Sequence, residues 1–225
     1  MSPTVDPRKS LRMLALIALP ALAGCGIADY EKKMQDAEVR VQRFDDENKL
    51  LGEPLLLPAK TDKEEGAPID VFLRPPIGVV NKDKTQPGEL AYHYPATSGA
   101  CTDLYLTFGS KDDGRDKLEK EIADRLGAAA PNWQPVEVRP PFGRPAVAFD
   151  AVEFADPRTP ANAAPADYIA YVHQTAGLPA VGVVFRVSHS NHAAADPAVK
   201  MSLETFAEPP DSAKARAAYG KPLAP

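Results

Sequence analysis

Cysteine is scarce in this 225-residue chain: Cys25 and Cys101 are the only two, which permits one disulfide at most. Long hydrophobic runs are missing as well. The longest begins at Met13 and ends near Leu22, well short of the roughly 20 apolar residues a membrane-spanning helix needs, so no integral membrane domain is expected. Glycine-rich phosphate loops and internal repeats are absent. Ser98-Gly99 lacks the GxSxG frame of a nucleophile elbow, and Pro95 to Ala100 reads instead as a turn between strands. Asp112-Asp113-Gly114 opens like a calcium loop but lacks its later carboxylates. An excess of positive charge is lacking too: the formal net charge is −5, which argues against a nucleic-acid surface.

What the chain does have starts at its N-terminus. Arg8, Lys9 and Arg12 form a basic region, Met13-Leu14-Ala15-Leu16-Ile17-Ala18-Leu19 opens an apolar one, and Leu22-Ala23-Gly24-Cys25 follows. This is the three-part layout of a secretory signal. Small residues before the break let an extended backbone enter a peptidase site, and the Cys thiolate behind them can be alkylated.

At these four positions the chain resembles bacterial lipoprotein precursors, whose lipobox has Leu, a small residue, Gly or Ala, then Cys. The resemblance implies a diacylglycerol on the Cys25 sulfur, cleavage before Cys25 and a further acyl chain on the new amino terminus. It implies a membrane-anchored, periplasm-facing protein of the bacterial envelope, and Gly26 after the Cys favours the outer membrane. Residues 1–24 would be the signal peptide. Loss of Arg8, Lys9 and Arg12 along with Asp6 would move the net charge from −5 to about −7. With Cys25 lipidated, Cys101 has no disulfide partner and reads as a buried, inert thiol.

The next segment is amphipathic. Tyr30, Met34, Ala37, Val41 and Phe44 recur at steps of four and three, with Leu51 a heptad after Phe44, while Glu31, Lys32, Lys33, Asp36, Glu38, Arg40 and Arg43 fill the other faces. A helix over 28–51 is expected, closed by Gly52-Glu53-Pro54. Its stripe can pack on its own domain or serve as a stalk, or pair with a partner helix as a short coiled coil, for which three heptads with Asn48 at a seam position are marginal. Residues 52–67 read as a linker, in which Leu55-Leu56-Leu57 can dock as a short extended piece.

From Pro68 the pattern changes to short alternating runs, and a domain over 68–207 is expected. Ile69 to Leu73, Leu90 to Tyr94 and Leu104 to Phe108 read as strands, the first ended by Arg74-Pro75-Pro76. A helix carrying Leu118, Ile122 and Leu126 follows, with Asp112 or Asp113 as cap, Gly127 as stop and a solvated charged outer face. Val136 to Arg139, Ala146 to Phe154, Tyr168 to Val172 and Val181 to Val187 give four more strands, the last two joined by a hairpin at Gly177-Leu178-Pro179. A last helix has Asp196 as N-cap, Pro197 at its first position and a stripe of Val199, Leu203 and Phe206. Residues 208–225 read as a mobile tail.

The expected class is α+β, a largely antiparallel sheet covered by helices and preceded by an N-terminal amphipathic helix. Phe72-Leu73-Arg74-Pro75-Pro76 near the start, a central helix, a late strand pair and a terminal helix give a layout that resembles PsbP-like domains. That resemblance implies an accessory or assembly protein without catalysis of its own; the expected partners are membrane lipid through acylated Cys25 and an envelope protein, with no nucleic acid.

Candidate chemistry is sparse. His189 and His192, three apart, have a spacing that suits a metal on a helix or tight turn, with Asp196 nearby and His173 a further candidate if the hairpin brings it close. They lack the Glu of an HExxH motif, and a polar loop between strand and helix is the simpler reading. Glu153 and Asp156 form a carboxylate pair able in principle to act as acid and base. The sequence therefore reads as a lipoprotein with a binding or scaffold domain, no catalytic residues and no cofactor. The alternative is a metal- or ligand-dependent periplasmic enzyme or binding protein using the His189/His192 region.

Overall fold

A computed structural model of the chain describes residues 7–57, 68–79, 92–110, 114–141, 143–159 and 163–219, with side chains described from Ala28 onward except at 56–57 and 218–219. The chain divides into two compact units, Met1–Asp46 and Glu47–Pro225. Helix α1, Pro7–Leu50, is continuous through the apolar segment and the charged stretch, so the helix expected over 28–51 is the second half of a longer one. Tyr30, Met34 and Val41 of its stripe are exposed. Among the described residues no helix is long and apolar enough to cross a membrane.

The second unit begins with the last turn of α1. Leu51 leaves the helix to bridge Pro76, and the Gly52 amide donates to the Pro75 carbonyl at 2.8 Å. Strand β1, Leu55–Leu57, then pairs antiparallel with β2, Val71–Leu73. The first six residues of the expected linker, 52–57, are thus part of the fold and bury Leu55, while residues 58–67 lie outside the described residues.

The fold is α+β. Its main sheet has six strands: β3 (Tyr92–Pro95), β4 (Cys101–Phe108), β5 (Gln134–Val138), β6 (Val147–Ala155), β7 (Ala166–His173) and β8 (Val181–Ser188). They lie in the order β3-β4-β8-β7-β6-β5, every neighbouring pair antiparallel. Both strand prolines, Pro95 and Pro135, sit on the two edge strands, where a missing N–H breaks no interior ladder.

Period-two alternation divides the core in two. Leu104, Leu106, Phe149, Ile169, Val183, Phe185 and Val187 point to one face, where α3 (His192–Thr205) lays Ala195, Val199 and Leu203 over them. Tyr105, Val152, Tyr168, Ala170, Val172 and Val184 point to the other, against Leu118, Ile122 and Leu126 of α2 (Arg115–Leu126). The β6–β7–β8 register keeps the faces aligned: Ile169 lies opposite both Glu153 and Phe185, Ala170 opposite Val152 and Val184.

Three helix boundaries differ from expectation. The N-cap of α2 is Gly114, with no side-chain cap, and Asp112 and Asp113 lie outside the described residues; its stop is Gly127 in the left-handed region, as its lack of a Cβ permits. Helix α3 starts four residues before Asp196, after a short 3₁₀ turn at His189–Asn191, because Ala193-Ala194-Ala195 strongly favours helix and outweighs the N–H missing at Pro197. The expected mobile tail contains α4, Asp211–Tyr219, rich in alanine and fastened by Asp70, which accepts from Ser212 Oγ at 2.8 Å and pairs with Arg216. Only residues 220–225 of it lie outside the described residues.

At Gly182 the backbone of β8 approaches α2 closely. A Cβ there would lie 2.6 Å from Thr107 Cγ2 and 2.8 Å from Ile122 Cδ1. Gly182→Ala should therefore destabilise the protein by about 1–3 kcal/mol through overpacking, measured by urea unfolding; an unchanged midpoint would mean that α2 yields freely.

Candidate functional site

Cys25 and the three residues before it lie in α1, ahead of the first described side chain, Ala28. Cys101, at the start of β4, is a free thiol buried in the core, and burial pushes its pKa up to about 12. A thiol so placed is neither a thiolate nor reachable at neutral pH.

All four histidines face carboxylates, and strand register decides which. Ala166 lies opposite Ser188 and His173 opposite Val181, so His173 and the His189–His192 turn occupy opposite ends of the β7–β8 pair. Seven residue steps at about 3.3 Å each separate them by roughly 23 Å along the strand. The hairpin therefore keeps His173 away from the other two instead of joining them.

At one end His189 Nδ1 lies 2.9 Å from Asp167 Oδ2. His192 Nε2 lies 3.1 Å from Glu153 Oε1, and its Nδ1 lies 3.2 Å from Asp196 Oδ1, one helical turn on. Asp196 is thus a helical neighbour of His192 instead of the cap of the last helix. Tyr171, on the same sheet face as Glu153, has its phenol pKa pushed up to about 12 by burial first, then by the charges of Asp196 and Glu153. Glu153, Asp167 and His192 each offer a ligand atom, all within 4.8 Å of one another. Spacing in the sequence pointed to His189 and His192; the two carboxylates come from β6 and β7 and are brought in only by pairing.

Glu153 and Asp156 do not work as a pair. Asp156 accepts from Arg186 Nε at 2.8 Å and from the Arg158 amide at 2.9 Å. Arg186 also reaches Thr102 Oγ1 at 3.3 Å and lies 3.6 Å from Asp103, whose other oxygen lies 2.7 Å from His93 Nε2. This belt ties β3, β4 and β8 to the end of β6. On α2, Glu119 is less solvated than its charged face suggests. Burial, then the nearby Asp150 carboxylate, raises its pKa to about 7, against the opposing pull of Arg115.

At the opposite end from His189, His173 faces a cavity of about 220 Å³ bounded by Arg144, Val147, Phe206, Glu208 and Pro209. Its Nδ1 donates to the Ala148 carbonyl at 2.7 Å, leaving Nε2 at 3.2 Å from both Glu208 Oε1 and Thr175 Oγ1. Burial works against the imidazolium, but hydrogen bonds to Glu208 and Ala148 outweigh it and raise the pKa above 6.5. The second Glu208 oxygen is buried without a hydrogen-bond partner.

No known family model matches this chain, and no curated protein matches it.

The His173–Glu208 pair has a defined pH signature. A histidine raised above its unfolded value contributes stability that is complete below about 6.5 and is lost as pH rises through the folded pKa. Proton NMR should find His173 titrating above 6.5, and Glu208→Gln should lower that midpoint because burial then acts with less opposition. An unchanged midpoint in the variant would contradict the assignment.

Proposed function

We propose that the chain is a bacterial lipoprotein, anchored to a membrane of the cell envelope through acylated Cys25, whose α+β domain is a non-enzymatic binding or scaffold module. The observation that carries this reading is Leu22-Ala23-Gly24-Cys25 behind a basic and then an apolar segment. Each buried lipid methylene contributes about 0.8 kcal/mol; one acyl chain binds marginally, whereas two or three hold a protein stably on a bilayer. Within the first unit, Cys25–Asp46 is helical and, at about 1.5 Å per residue, roughly 33 Å long.

The character of the domain supports a role in binding. Cys101 is buried, and His93 and His173 are paired with carboxylates inside the fold, so these groups serve the packing of the domain. The layout that resembles PsbP-like domains points the same way, toward an accessory or assembly role beside an envelope protein. Such a likeness of layout alone does not fix a function. The second reading, a metal- or ligand-dependent periplasmic protein, draws on the convergence of Glu153, Asp167 and His192.

Intact mass spectrometry of protein extracted from membranes tests the anchor. The expected product begins at Cys25 and carries two or three acyl chains, and Cys25→Ser should move the protein out of the detergent-soluble membrane fraction. A parent recovered in aqueous extract with its N-terminus elsewhere would overturn the proposal.

A further inference from the structure

Glu153 and Asp167 share one face of the main sheet. Asp167 lies opposite Ala155, and Glu153, two residues from Ala155, points the same way. The first residue of α3 brings His192 over this face. We propose that Glu153, Asp167 and His192 bind a divalent transition-metal ion of the zinc class, with Asp196 and His189 orienting two of the three ligands.

The ligand atoms of the three residues lie within 4.8 Å of one another, and one edge already has the length such an ion requires. His192 Nε2 and Glu153 Oε1 are 3.1 Å apart, close to the edge of a tetrahedron with bonds of about 2.0 Å, roughly 3.3 Å. The two ring nitrogens of His192 face two different carboxylates, and a neutral imidazole has one N–H to give. A metal at Nε2 resolves this: Nδ1–H is left for Asp196, the carboxylate–histidine–metal arrangement that holds a ligating ring in place. His189, beside Asp167 at 2.9 Å, plays the matching role on the second ligand. The His192 and Glu153 side chains are partly open to solvent, at 28% and 54% exposure, while that of Asp167 is 7% exposed, so an ion enters from outside onto a fixed inner carboxylate.

The donor set selects the ion. One imidazole and two carboxylates suit zinc, cobalt, nickel or manganese, whereas calcium takes six to eight oxygens. Three protein ligands leave a fourth position for water or for a group offered by a partner. The proposal does not depend on acylation, since it rests on residues of the folded unit alone.

Calorimetric titration of zinc chloride into the full chain carrying Cys25→Ser, which removes the thiol outside the folded unit, tests it. One zinc per chain is expected, with calcium chloride giving no comparable heat. His192→Ala and Glu153→Gln, both at partly exposed positions, should each weaken binding by about 100-fold or more, and Asp196→Asn by about 10-fold, the range for groups that orient a metal ligand. His93→Ala and His173→Ala should leave it unchanged. Circular dichroism of each variant separates loss of the site from loss of the fold. Absence of saturable zinc binding, or binding that survives both His192→Ala and Glu153→Gln in folded protein, would overturn the site.

Discussion

Arg74 is the interaction on which the second unit is assembled. Its guanidinium donates to Glu47 Oε2 at 3.3 Å, to Asn48 Oδ1 at 3.0 Å and to the Gly52 and Leu51 carbonyls at 3.2 and 3.4 Å. Its amide donates to Thr205 Oγ1 at 2.9 Å, and its carbonyl accepts from Ser202 Oγ at 2.6 Å. One residue thereby satisfies the unpaired carbonyls beyond α1, fixes the end of β2 and ties both to the last turns of α3. Glu47 and Arg74 are both buried, at 1% and 7% exposure, and each offers the other an opposite charge inside the fold. A buried pair of this kind gives less net stability than its contacts suggest, yet removing one member takes the opposite charge away from a desolvated group and costs about 3–5 kcal/mol.

The sheet does for the polar groups what Arg74 does for the chain ends. Alternation sends Glu153 and Asp167 to the α3 side and Arg186 and Tyr168 to the other, so a single register sets both apolar faces and both groups of charges. A one-residue slip of β7 would turn Asp167 away from His189 and Ile169 out of the core at the same time. Burial of the core and assembly of the candidate metal site are therefore one event, which is why a carboxylate as enclosed as Asp167 can be held facing solvent-accessible histidines.

Much of this was legible in the sequence where the determining signal is local. Leu118, Ile122 and Leu126 recur at one-turn spacing before a glycine, and the alternating runs of β4, β6, β7 and β8 stand clear of their turns. What was hidden depends on partners distant in the chain. Leu55-Leu56-Leu57 becomes a strand because Val71–Leu73 lies beside it, and α4 is fixed by Asp70, some 140 positions earlier. Arg74 looked like the polar end of a strand, since nothing nearby announces that Glu47 will be buried with it. At the candidate site, the three-residue spacing of His189 and His192 was visible, whereas Glu153 and Asp167 converge through strand pairing. The position of His173 was open to inference: a residue just before the hairpin turn must lie at the turn, and His189, just after β8, at the far end. Leu22-Ala23-Gly24-Cys25, by contrast, carries its resemblance to a lipobox in four adjacent residues.

The central claim, that the end of α1 is part of the folded unit through Arg74, is tested most directly by a double-mutant cycle in urea on parent, Glu47→Ala, Arg74→Ala and the double variant. If the buried pair joins the elements, each single change costs about 3–5 kcal/mol. The double variant then falls short of their sum by roughly 1–3 kcal/mol, the range for groups in direct contact. Costs that add within a few tenths of a kcal/mol would show that Glu47 and Arg74 act independently, and would contradict the account.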